Sequence, residues 1–223
     1  MQASPCKPAM PPDSSRRPLK SRSTAWAAAA AAFLTRAGAT PNGISAASLV
    51  MAMLGALAFI AAGRGWIVPW IGWVAAAVFI QLRLICNLLD GMVAIEGGKR
   101  SPTGGIWNEA PDRFADTLFL LSAGIGCGHP WAGAAAAWAA LLTAYARSLG
   151  AELTGKQDFC GPFAKPQRMA VLTLAALLTP LEILWNGNLR LLPAVLWLIA
   201  TGALFTALRR FWRLAATLKS SAR

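Results

Sequence analysis

Charge is scarce in this chain, and negative charge is scarcest. Only 13% of its 223 residues are charged, with nine acidic residues against 21 basic ones. Soluble domains carry roughly 25% charged residues, so this composition, with 56% hydrophobic residues and ten Trp, excludes an ordinary soluble fold and reads as a membrane protein. Cysteine is sparse too: Cys6, Cys86, Cys127 and Cys160 have no paired spacing, so neither a disulfide framework nor a cysteine zinc site is expected, and free thiols are the default. The only histidine, His129, precedes Pro130 near a predicted outer surface and suits no catalytic role. The N-terminal charges are not directly followed by an apolar core, and the later alanine run leads to Arg36, so no secretory signal is expected. Internal repeats and a soluble second domain are also lacking.

Long apolar runs are what the chain does have. Six stretches can supply the roughly 20 residues that a spanning helix needs. They are Ile44 to Ala62, Trp66 to Leu89, Ile106 to Ile125, Trp131 to Leu149, Met169 to Trp185 and Leu191 to Phe211. The expected fold class is therefore an all-α membrane protein with six transmembrane helices. Residues 1–23, rich in Pro, Ser and basic residues, read as a disordered tail. Residues 24–38 (TAWAAAAAAFLTRA and its end) are too short to span and read as an interfacial helix with Trp26 near the headgroups. Thr40, Pro41 and Asn42 break that helix, with Ser45 as a plausible cap for the first span. The membrane domain covers 39–213, and 214–223 reads as a second tail.

The net charge of +12 raises nucleic acid as a partner, but its distribution argues for topology instead. With an even number of spans both termini share one side, and the basic residues of both tails, Lys99/Arg100 and the Lys156 to Arg168 loop collect there. The opposite loops carry only Arg64 and Arg190. The positive-inside rule makes the basic side cytoplasmic. Anionic lipid headgroups account for the excess, so a multi-pass protein of the cell membrane with no nucleic-acid partner is expected. Trp66, Trp70, Trp131 and Trp185 fall near the other ends, as an interfacial belt would.

Five of the nine acidic residues lie between Arg83 and Asp116. Asn87 and Asp90 are three apart, and Asn108, Asp112 and Asp116 follow at steps of four, which puts each set on one helix face. Two adjacent antiparallel spans would then present polar stripes to each other near their cytoplasmic ends. Polar residues at helix ends often only cap or solvate, but this many on matching faces of neighbouring spans are harder to attribute to capping. Converging carboxylate and amide oxygens suit a hard divalent cation that also binds phosphates. A midplane transporter site is disfavoured by the same position near the helix ends.

The stretch 87–112 resembles the signature of the CDP-alcohol phosphotransferases, D-x-x-D-G-x-x-A-R, eight residues, then G-x-x-x-D-x-x-x-D. The same frame holds Asn87, Asp90, Gly91, Ala94, Ile95, eight residues, Gly104, Asn108 and Asp112. Thr40-Pro41-Asn42 and the six-span plan are similar to the family as well. The resemblance implies a transferase of phospholipid synthesis that moves a phosphatidyl or related phosphoalcohol group from a CDP-linked lipid donor to a small alcohol or phosphoalcohol, releasing CMP. It implies Asp112 as catalytic base, and Asn87, Asp90, Asn108 and Asp112 as ligands of Mg²⁺ or Mn²⁺. Gly91, Ala94 and Gly104 would let the nucleotide approach, and Arg147, Lys165 and Arg168 would bind the acceptor. Members are commonly homodimers. Two acids of the pattern are Asn here and its Arg is Ile95, and each Asn removes one negative charge. Glu109 and Asp116 are candidate replacements; Asp116 is read instead as a buried structural ion pair with Arg83, judged to lie at similar depth, which leaves Glu109 as the added ligand. A family-fold protein that binds lipid or nucleotide without turnover is the alternative reading.

Overall fold

The structure, a computed structural model, describes residues 24–96 and 103–221. The N-terminal tail, Cys6 and most of the polar loop around Lys99 and Arg100 lie outside the described residues. Among the described residues seven helices follow in order: α1 (Ala25–Arg36), α2 (Pro41–Gly63), α3 (Pro69–Glu96), α4 (Gly104–Gly126), α5 (Pro130–Thr154), α6 (Lys165–Asn186) and α7 (Leu191–Ser221). Among the described residues there is no strand. α2, α3, α6 and α7 are long and apolar enough to cross a membrane. α4 and α5 have the length, at 23 and 25 residues, but α4 carries four charged residues, Glu109, Asp112, Arg113 and Asp116, and α5 is built largely of alanine. The chain is an all-helical membrane protein.

Short breaks set the order. Alanine-rich α1 forms on propensity and buries Ala27 and Ala31 against Leu88, Leu89, Met92 and Val93 of α3, leaving Trp26 and Phe33 exposed. Thr40 then caps α2: its Oγ1 accepts from Gly43 N–H at 3.1 Å, with Pro41 at the first helical position. Ser45, expected as the cap, is instead buried one turn inside, because Pro41 starts the helix earlier. The Glu182 carboxylate accepts from the backbone N–H groups of Arg190 and Leu191 at 3.0 Å each and so closes the start of α7. α7 runs on to Ser221 rather than ending at residue 213: Lys219 reads as a tail residue but sits on an unbroken helix.

The core is shared by all six long helices, with Phe59 of α2, Trp73 of α3, Phe119 of α4, Ala136 of α5, Leu172 of α6 and Leu196 of α7 fully or almost fully buried. Helices α2 to α7 alternate in direction. The α2–α3, α4–α5 and α6–α7 connections gather at one end, where Trp66, Trp70, Trp131 and Trp185 are all more than half exposed. The ends of α3, α5 and α7 and the starts of α4 and α6 meet at the other, charged end. Cys86, Cys127 and Cys160 are free thiols.

Candidate active site

At the charged end, the late turns of α3 face the early turns of α4 and α6. Asp90 of α3 is 5% exposed, and its Oδ2 accepts from the Ser45 hydroxyl of α2 at 2.7 Å. Its Oδ1 is buried with no hydrogen-bond partner. Asp112 of α4 bridges two helices, pairing through Oδ1 with Arg83 of α3 and through Oδ2 with Lys165 Nζ of α6 at 2.5 Å. One turn earlier on α4, Glu109 takes the Arg147 Nη2 of α5 at 2.6 Å on each oxygen and Arg113 Nη2 at 2.5 Å. One turn later, Asp116 Oδ2 accepts from Arg168 Nη2 of α6 at 3.0 Å. Arg168, fully buried, also donates to Thr143 Oγ1 at 3.1 Å and Phe163 O at 2.9 Å.

Part of this network borders a cavity of about 430 Å³, whose lining includes Asp112 but not Asp90, Arg83, Glu109 or Asp116. Asn87, Asp112, Arg147, Lys165 and Arg168 all line it, so the α3 and α4 stripes do meet on one space together with the three basic residues of α5 and α6. Arg113 and Arg210 line it as well, which makes the wall strongly cationic around one carboxylate. Trp26 of α1 and Leu84, Ile85 and Leu88 of α3 form an apolar side. Such a space suits a ligand with an anionic head and an apolar body.

One expectation is corrected. Arg83 pairs with Asp112 and not with Asp116, whose partner is Arg168. The first turns of α6 supply the cation for Asp116, Arg168, and a second one for Asp112, Lys165. Glu109 is held by two arginines and its side chain is 43% exposed, so its carboxylate is directed to α5 rather than joined to Asp90 and Asp112. Among the described residues, His, Cys, Asp and Glu nowhere gather in threes as a metal centre of those types would.

Gly91 has nothing within 4 Å of where a Cβ would stand, which leaves open space on α3. Gly91 and Ala94 lie beyond the cavity lining, and Gly104 opens α4. Asn108 lies on α4 one turn before Asp112, with its side chain outside the described residues. Ser45, Arg113, Thr143 and Arg210 were not anticipated at the site. Ser45 had a signal, being a hydroxyl in an apolar span one turn past a proline-started helix. Arg210 had none, since its neighbours Arg209 and Arg213 make it look like a headgroup anchor. Arg210 donates instead to Cys160 O at 2.9 Å and Thr143 O at 2.8 Å.

No family model matches the chain. It is 33% identical over 130 residues to the archaetidylinositol phosphate synthase of Aeropyrum pernix, covering 56% of this chain and 62% of that protein. It is 26% identical over 185 residues to the phosphatidylinositol phosphate synthase of Mycolicibacterium smegmatis, covering 78% of this chain and 77% of that one. In fold it is similar to the Mycobacterium tuberculosis phosphatidylinositol phosphate synthase, solved with CDP-DAG bound (TM-score 0.69, 18% identity, 84% of this chain and 92% of that one). The same enzyme solved with manganese and citrate gives a TM-score of 0.70 at 19% identity, over 84% and 88% of the two chains. The chain is thus similar in sequence to inositol phosphate synthases, spanning less than two thirds of the length of the Aeropyrum pernix protein, and it shares the fold of the Mycobacterium tuberculosis enzyme.

Proposed function

We propose that this protein transfers a phosphatidyl or related phosphoalcohol group from a CDP-linked lipid donor such as CDP-diacylglycerol to a small alcohol or phosphoalcohol, releasing CMP. The observation that carries this reading is Asp112, a carboxylate at the wall of a cavity with an apolar side and an otherwise cationic lining. In the reaction the acceptor oxygen bonds to the lipid-bearing phosphorus, the bond from that phosphorus to the CMP oxygen breaks, and the hydroxyl proton passes to Asp112. Lys165 and Arg83 hold and orient Asp112, and Arg147, Arg168 and Arg113 supply positive charge where an acceptor phosphate would sit. That excess of cations favours a phosphorylated acceptor over a neutral alcohol, in keeping with the inositol phosphate synthases among the relatives.

The donor set fits a hard divalent cation such as Mg²⁺ or Mn²⁺: it is all oxygen, and Asp90 Oδ1 is a buried carboxylate atom that no protein group satisfies. Asn87, Asp90, Asn108 and Asp112 would hold the ion, which when bound takes up charge developing on the diphosphate. The reading extends to six spans with the charged end, both termini and the site on the cytoplasmic side, α1 lying at the interface, and a homodimer in the membrane. The exposed Trp residues at the opposite end and the basic residues at the charged end support that orientation. Binding without turnover is the second reading, favoured by Asn at 87 and 108 and by the two cations already on Asp112.

CMP release by purified protein, given CDP-diacylglycerol, Mg²⁺ or Mn²⁺ and a panel of neutral and phosphorylated alcohols, separates the two. Turnover is expected with a phosphorylated alcohol, and Asp112→Asn should lower it about 10²- to 10⁴-fold. Metal binding with no CMP release from any acceptor would overturn the transferase.

A further inference from the structure

We infer that Ser45 of α2 is the positioning residue that aims the Asp90 carboxylate at the metal. This rests on the reading that the site holds a divalent cation. Two observations support it. The Ser45 hydroxyl sits 2.7 Å from Asp90 Oδ2, with both side chains almost fully buried. The other oxygen, Oδ1, is buried and has no partner. One oxygen is thus tied to a neighbouring helix, and the other is left with its lone pairs unused, as a ligand atom awaiting a cation would be. Turning the carboxylate out of this plane would break the Ser45 bond and leave both buried oxygens unsatisfied, so the hydroxyl holds the group with one oxygen tied and the other offered.

Asp90 needs Ser45 more than the reverse holds. The hydroxyl is also 3.1 Å from Pro41 O one turn back, an acceptor that would satisfy it without Asp90. Its place depends on the Thr40–Pro41 start of α2, which sets Ser45 at the charged end of α2, where that helix packs against α3. The arrangement weighs more here because positions 87 and 108 are Asn, so the motif brings only two carboxylates and the orientation of each counts for more.

The test is Mn²⁺ titration of the purified full-length protein, followed by the loss of the free-ion EPR signal, with a thermal midpoint measured without metal. Ser45→Ala should weaken Mn²⁺ binding about 10- to 100-fold. Ser45→Thr, which keeps the hydroxyl, should bind nearly as the wild type, and Ser45→Cys, a weak donor, should fall between. Wild-type affinity in Ser45→Ala would overturn the inference. So would a metal-free midpoint that falls in Ser45→Ala with no recovery of affinity in Ser45→Thr, since the bond would then be only a staple between helices. A wild type that binds no Mn²⁺ would fail at the earlier step and take the metal reading down with this one.

Discussion

Helices α4 and α5 meet twice, in different ways at their two ends. At the Trp-flanked end they approach until a Cβ added to Gly124 would lie 2.7 Å from Gly133 Cα, and Gly63 of α2 meets Gly126 of α4 as closely. At the charged end the same two helices are joined by long side chains, Glu109 reaching Arg147, with the cavity beside them. Small residues let backbones touch, and in lipid such contacts pack helices without any hydrophobic drive. Long ion-paired side chains bridge a gap without filling it. The bundle is pinned at one end and held open by charge at the other, and the space left open is the candidate site.

Breaking the deepest ion pair at the open end should have the largest effect. Arg168→Gln leaves Asp116 buried without a cation and should cost about 3–5 kcal/mol of stability. Adding Asp116→Asn removes the stranded charge and should recover part of that loss, a coupling that thermal unfolding of the two single variants and the double variant in detergent would show. Additive losses would mean that the two residues act separately and that the pair does not hold α4 to α6. At the pinned end, Gly124→Ala pushes a methyl into the Gly133 backbone and should cost about 1–3 kcal/mol. Its substrate KM values should stay at wild type. A shift in acceptor KM larger than the change in stability would show that the ends are not independent.

How far the sequence carried follows the same division. Apolar runs are readable because a bilayer demands them, so the stretch from Ile44 to Ala62 reappears inside α2 and that from Leu191 to Phe211 inside α7. Which residues share a face is readable too, since steps of three and four are a property of the helix itself. Asn87 and Asp112 therefore do border one cavity. Lateral neighbours are not readable: depth along two helices matched Arg83 to Asp116, but only packing reveals that α6 brings Arg168 to Asp116 and Lys165 to Asp112. Arg210 escaped for the same reason, because a basic residue on a helix looks the same whether it anchors in headgroups or turns inward to Thr143 and Cys160.

The smallest effect expected concerns the loop that closes the open end between α5 and α6. Asp158 is partly buried there, which alone would raise its pKa. The Cys160 N–H at 2.8 Å, the Cys160 thiol and the Arg213 guanidinium outweigh that burial and hold the carboxyl below the usual carboxylate range. A carboxyl with a depressed folded-state pKa adds stability that is fully present above its unfolded value and disappears as pH falls through the folded one. Unfolding midpoints followed downward from neutral pH should therefore decline into the acid range, and Asp158→Asn should flatten a small part of that decline while leaving the neutral-pH cavity and its ion pairs in place. Arg213 is more than half exposed, so salt should weaken its share while leaving the backbone hydrogen bond. If the whole acid decline vanished in Asp158→Asn, one surface-loop carboxylate would be governing the open end, and the buried pairs at Asp112 and Asp116 would not be what holds it.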